Sequence, residues 1–197
     1  MKLLLFGGTF DPPHQGHINN LCAALALVQP DLALVMPAGT PPHKAASATP
    51  GALRLEMCRC FEEISPVVQC SDWEICQGGR SYTIQTLQML HEKYPEARLY
   101  LSVGSDMLCS FTAWRDWQGI LRLATLVVQS REDGDAAALH AAAAPLQAAG
   151  GTVLFATAPA LHCASSEIRA GQYSPEELQT LLPQTVREVI EREGLYR

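Results

Sequence analysis

The sequence predicts an α/β fold with a doubly wound, mostly parallel sheet, on three observations. Short apolar runs alternate with segments of helical periodicity along the chain, the arrangement of a parallel sheet covered by helices on both faces. The first apolar run ends in a glycine pair that leads into a helical pattern. The polar clusters at residues 7–17, 37–44, 104–106, 131 and 162–169 each follow an apolar run, and ligands of open α/β sheets sit beyond the carboxyl ends of strands.

Taken in order, residues 2–6 read as a buried strand. Residues 16–28 carry Ile18, Leu21, Cys22, Leu25 and Val28 at helical spacing, and Pro30 ends that helix. Residues 32–36 form a second short strand. Residues 37–50 are a long loop holding Pro41, Pro42, His43 and Lys44; loops of this length are usually functional or mobile. Residues 51–64 place Leu53, Met57, Phe61 and Ile64 on one helical face, and residues 67–75 suit a strand. Gly78-Gly79-Arg80-Ser81 is a turn. Ser81 is placed to cap a helix through Ile84, Leu87, Leu90 and Tyr94, which Pro95 stops. Residues 98–103 are a strand ending at Gly104-Ser105-Asp106, residues 106–123 suit one or two short helices, and residues 125–129 are another buried strand. The alanine-rich stretch 135–149 is expected to be a peripheral helix. A strand at 152–157, a short helix at 165–169 and helices at 175–181 and 184–193 complete the chain.

One stretch organises the rest: Gly7-Gly8-Thr9-Phe10-Asp11-Pro12-Pro13-His14-Gln15-Gly16-His17. A strand, a glycine turn and a helix start point backbone N–H groups at an anion, and paired glycines let the backbone approach it closely. His14 and His17, three residues apart, share a helix face beside the positive end of its dipole. The stretch suits a polyanion, and a nucleoside triphosphate is expected there. It is neither a dinucleotide fingerprint nor a P-loop. A zinc site lacks a third ligand at helical spacing, so no metal ligand is assigned. The plain alternative is a tight β-to-α turn with incidental histidines.

The totals bound the possibilities. With 197 residues and 48% hydrophobic content, the default is a single domain over 1–197, of which 162–197 is a helical C-terminal part. Fourteen basic against 20 acidic residues give a net charge of −6, which argues against general nucleic-acid binding. Any anionic ligand must then be held by locally concentrated His, Lys, Arg and backbone N–H groups. The apolar run after Lys2 is too short for a signal peptide, and no segment approaches the length of a membrane span. Seven cysteines without a zinc or redox spacing are expected to be reduced, mostly buried thiols in a cytoplasmic protein. Nothing here bears on oligomeric state.

The string T-F-D-P-x-H-x-G-H resembles the signature of the HxGH nucleotidyltransferases. With P-A-G-T-P-P-H-K-A, S-Y-T-I-Q-T-L, G-S-D-M-L-C-S-F-T-A-W-R-D-W-Q-G-I-L, S-S-E-I-R-A and the final G-L-Y-R, the chain looks like a bacterial nicotinate-nucleotide adenylyltransferase over nearly its whole length. The resemblance implies a Rossmann-like nucleotidyltransferase fold and the making of deamido-NAD and pyrophosphate from ATP and nicotinate ribonucleotide. Two departures stand out. The family's Ile-Ser-Ser-Thr is here Cys163-Ala164-Ser165-Ser166, so Ser166 keeps a hydroxyl at the threonine position and Ala164 loses one at the first serine position. Residues 132–150 match poorly.

By the same resemblance, Gly7, Gly8, Thr9, Phe10, His14 and His17 hold the triphosphate, with His17 closest to the transferring region. Ser165, Ser166 and Arg169 cap it from the opposite loop, and Gly104 and Asp106 meet the ribose. His14, His17 and Arg169 are the catalytic candidates. Mg²⁺ accompanies ATP, held mainly by phosphate oxygens and water. Trp114 offers the pyridine ring a flat face, and the first helical turn at Tyr82 and Thr83 can bind the nicotinate carboxylate. His43, Lys44 and Arg131 are further substrate-binding candidates. The attacking phosphate is already ionised, so the chemistry needs positioning and charge stabilisation rather than a strong base. Simpler roles stay open: Trp114, Phe111 and Trp117 as core, Asp106 as a helix cap, Arg169 as a solvated helix residue, His43 as a plain loop residue, and His91, His140 and His162 as surface or structural. A different phosphate acceptor, such as nicotinamide ribonucleotide, and a non-catalytic nucleotide sensor are the alternative functions.

Overall fold

A computed structural model describes residues 1–40, 47–129, 134, 136–156, 161 and 163–196. Among these, six strands form one parallel sheet: β1 Lys2–Gly8, β2 Leu32–Pro37, β3 Val68–Cys70, β4 Arg98–Gly104, β5 Ala124–Gln129 and β6 Val153–Ala156. Their order across the sheet is β3-β2-β1-β4-β5-β6, with every pair parallel. The winding reverses between β1 and β4, so the carboxyl ends of these two strands flank the switch point. The residues there are Gly7 and Gly8 on β1 and Gly104 on β4.

Successive strand residues face opposite sides, and each side has its own core. Leu3, Leu5, Leu34, Met36, Leu101, Val103, Leu126 and Val128 pack with Leu87 and Leu90 of α4 (Thr83–Lys93) and Ile120 of α6 (Trp117–Leu123). Leu4, Phe6, Ala33, Val35 and Val127 pack with Leu21, Ala24 and Val28 of α1 (Gln15–Val28) and Met57 of α2 (Gly51–Cys58). Val186 and Val189 of α10 (Gln184–Glu193) join this second cluster. The remaining helices are α3 Trp73–Gln77, α5 Ser105–Cys109, α7 Ala136–Ala148, α8 Ser165–Arg169 and α9 Pro175–Leu181.

Several expectations change. The strand expected over 67–75 is only Val68–Cys70, and Trp73–Gln77 is helical: β3 is an edge strand with just three residues in register against β2. The helix expected over 51–64 stops at Cys58 and tightens into a 3₁₀ turn, Arg59–Phe61. Tyr82, not Ser81, is the cap of α4, because the Ser81 N–H is drawn to the Thr40 carbonyl at 3.0 Å. α7, expected at the periphery, buries Leu139, Ala143 and Leu146 against the core. Most of its residues are alanine, so composition alone hid its buried stripe. Of the seven cysteines, all of them free thiols, only Cys58 and Cys60 are buried, and Cys22, Cys76 and Cys109 are exposed. On α1 it is Ala24, not Cys22, that turns inward.

Candidate active site

β1 ends at Gly8, and α1 begins at Gln15 with His14 as its cap residue. Close approach requires glycine at Gly8 and leaves little room beyond it at Gly16. A Cβ on Gly8 would lie 2.8 Å from the Phe10 ring, and one on Gly16 would lie 3.0 Å from the His14 ring. Phe10 takes a left-handed backbone conformation, φ 50°, which a bulky residue rarely adopts. Its ring is held by Phe6 at 5.6 Å and Phe61 at 5.3 Å and meets the His17 ring edge at 5.1 Å. Phe10, expected to contact nucleotide, therefore buries its side chain in the core and supports His17 from below.

The two histidines come together as their spacing implied. Their ring centroids are 3.8 Å apart. His17 Nδ1 accepts the His14 backbone N–H at 3.3 Å. An imidazole nitrogen that accepts has no proton, so the neutral ring carries its proton on Nε2. Both rings stand at the N-terminus of a 14-residue helix, where orphan N–H groups and the helix dipole favour anions.

Across from them, α8 reaches back onto this stretch. Ser165 Oγ donates to the Pro12 carbonyl at 2.9 Å, and Arg169 Nη1 donates to the Asp11 carbonyl at 2.5 Å. Arg169 is otherwise exposed, so one of its five N–H donors anchors it while the guanidinium keeps the capacity to bind phosphate. Ser166 is exposed beside it. Gly104 caps α5, and Asp106 lies exposed in the first turn of that helix.

The acceptor side is partly assembled. An isolated bridge between Thr40 and Arg80 brings the loop after β2 to the turn before α4, which sets Tyr82 and Thr83 at this end of the sheet. The Arg115 guanidinium lies 4.7 Å from the Tyr82 ring centre. Trp114 is half-buried and stacks on Phe111 with centroids 5.0 Å apart; it packs on the core with one part and remains open with the rest. Trp117 is likewise half-buried and Phe111 is fully buried. His43, Lys44, Arg131 and His162 lie outside the described residues.

A second group of residues supports the site and had no assigned role. Arg54 of α2 is 3% exposed. Its guanidinium donates to the carbonyls of Thr9 at 2.8 Å, Thr49 at 3.3 Å and Gly39 at 3.4 Å. It thus ties the glycine turn to the loop after β2. Burial lowers its pKa, opposed chiefly by the neighbouring Asp11 charge. The buried Asp11 carboxylate accepts from Ser47 Oγ at 2.5 Å and Tyr196 Oη at 2.6 Å. Burial pushes that carboxyl up, but the hydroxyls of Ser47, Thr49 and Tyr196 and the Arg169 charge together hold it below the usual carboxylate range. The Tyr196 phenol is pushed well above its ordinary value, first by burial and then by its bond to Asp11. A signal for Arg54 existed: it sits three residues before Met57 and seven before Phe61, a charge inside an apolar helical stripe.

A glycine turn at the switch point, with paired histidines at a helix start, is a nucleotide phosphate site in form. In agreement, residues 5–171 match the family model described as Cytidylyltransferase-like, and the chain belongs to that nucleotidyltransferase family. Its full-length relatives narrow the assignment. The protein named "Probable nicotinate-nucleotide adenylyltransferase" in Acidithiobacillus ferrooxidans is 37% identical over 99% of this chain and 95% of its own. One of the same name in Clostridium tetani is 30% identical over 100% and 99%. Within the family, the chain thus belongs with the nicotinate-nucleotide adenylyltransferases. The fold matches Plasmodium falciparum nicotinic acid mononucleotide adenylyltransferase complexed with NaAD, with a TM-score of 0.78 at 16% identity over 99% of this chain and 97% of that one.

Proposed function

We propose that this protein transfers the adenylyl group of ATP to the phosphate of nicotinate ribonucleotide, releasing pyrophosphate and forming deamido-NAD. The single observation that carries the site assignment is the pair of adjoining histidine rings at the α1 N-terminus, with Arg169 held on the Asp11 carbonyl of the same stretch. An oxygen of the acceptor phosphate attacks the α-phosphorus of ATP, and the bond to the β-phosphate oxygen breaks as pyrophosphate leaves. His17 donates from Nε2 to the phosphate chain as charge moves onto the leaving group, and His14 with the α1 N–H groups binds the same anion. Arg169 caps the departing phosphates with its planar fork, with Ser165 and Ser166 beside it. Gly104 lets the nucleoside approach β4, and Asp106 accepts from the ribose hydroxyls. Trp114 stacks on the pyridine ring, and the α4 N-terminus at Tyr82 and Thr83 receives the carboxylate. His43, Lys44 and Arg131 complete the acceptor's phosphate contacts.

Mg²⁺ fits this donor set as a companion of the nucleotide. Among the described residues no three His, Cys, Asp or Glu side chains converge, and the Asp11 carboxylate is committed to internal hydroxyls. In this reading phosphate oxygens and water would supply most of its ligands, and when bound it would neutralise phosphate charge. Among the described residues no helix is long and apolar enough to cross a membrane, and the free cysteines suit the reducing cytoplasm.

Pyrophosphate release with ATP and Mg²⁺ tests the reading, with nicotinate and nicotinamide ribonucleotides compared side by side. Strong preference for nicotinate is expected. Equal use of both overturns the acceptor assignment, and release with neither overturns the function.

A further inference from the structure

The phosphate-binding stretch is held from outside by an element remote in sequence. Asp11 lies three residues before the α1 cap, and its carboxylate receives hydroxyls from two separate segments, Ser47 and Tyr196. Thr49 Oγ1 donates to the Tyr196 oxygen at 3.3 Å, so the phenol proton is directed at Asp11. Arg169 takes the Asp11 carbonyl and Arg54 takes the Thr9 carbonyl. A carboxylate beside a triphosphate would by itself oppose binding. Here its charge is absorbed by these hydroxyls and by the two flanking guanidiniums, so it serves as a post rather than a ligand.

The phenol is presented from a firm base. α10 is joined to α2 by Arg192, whose two Nη atoms bind Glu56 at 3.0 and 2.9 Å, and Val186 and Val189 are buried. α10 ends at Gly194 in the left-handed conformation, and the Leu195 N–H returns to the Ile190 carbonyl at 3.0 Å. That closing turn directs the chain toward the site.

We infer that Tyr196 is a positioning residue for ATP: acting through Asp11, its hydroxyl holds residues 9–14 in the geometry the triphosphate requires. The inference rests on the reading of residues 7–17 as the triphosphate site. Tyr196→Phe removes one oxygen and keeps the ring. In the full chain it is expected to raise KM for ATP about 10-fold, the lower end of the scale for one hydrogen bond to a charged group. Turnover at saturation and KM for nicotinate ribonucleotide stay within about two-fold of the parent, as expected when only uniform binding is lost. Asp11→Ala, which removes the acceptor, and the double variant close a cycle. If Tyr196 acts through Asp11, the double variant has the same KM for ATP as Asp11→Ala alone.

An unchanged KM for ATP in Tyr196→Phe, with only a lower Tm, overturns the inference and leaves a structural tie. Additive effects in the cycle overturn it too, because the phenol would then act by another route. His17→Ala in the same assay separates the two levels. Normal turnover in that variant removes the site reading and this inference with it. Lost turnover there beside an unchanged Tyr196→Phe removes this inference alone.

Discussion

His17 Nδ1 accepts the backbone N–H of His14 across 3.3 Å, and this bond sets both the orientation of the ring and the position of its proton. Nδ1 is thus committed to the backbone, and Nε2 is the nitrogen proposed to meet phosphate. His17→Ala is expected to lower kcat roughly 100-fold, by analogy with losing an oxyanion donor. His17→Gln can place an amide donor near the Nε2 position, whereas His17→Asn can only mimic Nδ1. Steady-state pyrophosphate release should rank Gln above Asn, and the reverse order would mean that holding His14 matters more than donating to phosphate.

Gly16→Ala separates stability from activity. Within a helix, alanine is favoured over glycine by up to about 1 kcal/mol. Yet its Cβ would sit 3.0 Å from the buried His14 ring and 3.4 Å from the Leu161 carbonyl, and the His14 ring already lies 3.8 Å from that of His17, centre to centre. We expect kcat/KM for ATP to fall about 10-fold, on the scale of misplaced contact groups, while Tm holds or rises. Thermal unfolding and initial rates on one preparation decide it.

Arg54 should behave as a structural cation. Arg54→Met leaves the carbonyls of Thr9, Gly39 and Thr49 without their donor in a buried setting. A loss of roughly 3 kcal/mol is expected, on the scale for buried polar groups deprived of a partner. The urea midpoint should fall with an unchanged slope. A loss below about 0.5 kcal/mol, the range of ordinary surface substitutions, would remove the clamp.

Asp11 carries a pH signature. Its carboxyl lies below the usual range in the folded protein because hydroxyl donors and Arg169 outweigh burial. A depressed folded value adds stability above the unfolded value, and that stability is lost as pH falls through the folded one. The Tm gap between the parent and Asp11→Asn should be full near neutrality and shrink steadily below about pH 4. A gap that is constant from pH 7 to pH 3 would show that charge is not what Asp11 contributes.

Trp114 tests the acceptor pocket. It stacks on Phe111 and packs on the core while part of its surface remains open. Trp114→Ala should raise KM for nicotinate ribonucleotide about 10-fold, the upper scale of an aromatic stacking contact, without moving KM for ATP. Equal rises for both substrates would assign Trp114 to the core alone.

Much of the fold was legible because its signals are local. The 3.6-residue and continuous apolar patterns marked β1, β2, β4, β5, α1 and α10, and the glycine–histidine string marked the turn from β1 into α1. The misreadings came where local signals are weak. β3 keeps only three residues in the sheet at an edge, and an alanine helix hides its buried face.

What the sequence alone determined was the alternation of strands and helices, and hence the parallel sheet with its polar loops at one end. It also determined the spacing that brings the His14 and His17 rings together. Only the tertiary structure decided what holds those groups still. Ser47, Arg54, Arg169 and Tyr196 meet around Asp11 and Thr9 from segments up to 185 positions apart. No periodicity links residues so far separated; their meeting depends on strand order and on how α2, α8 and α10 pack over the switch point, and those are properties of the closed chain.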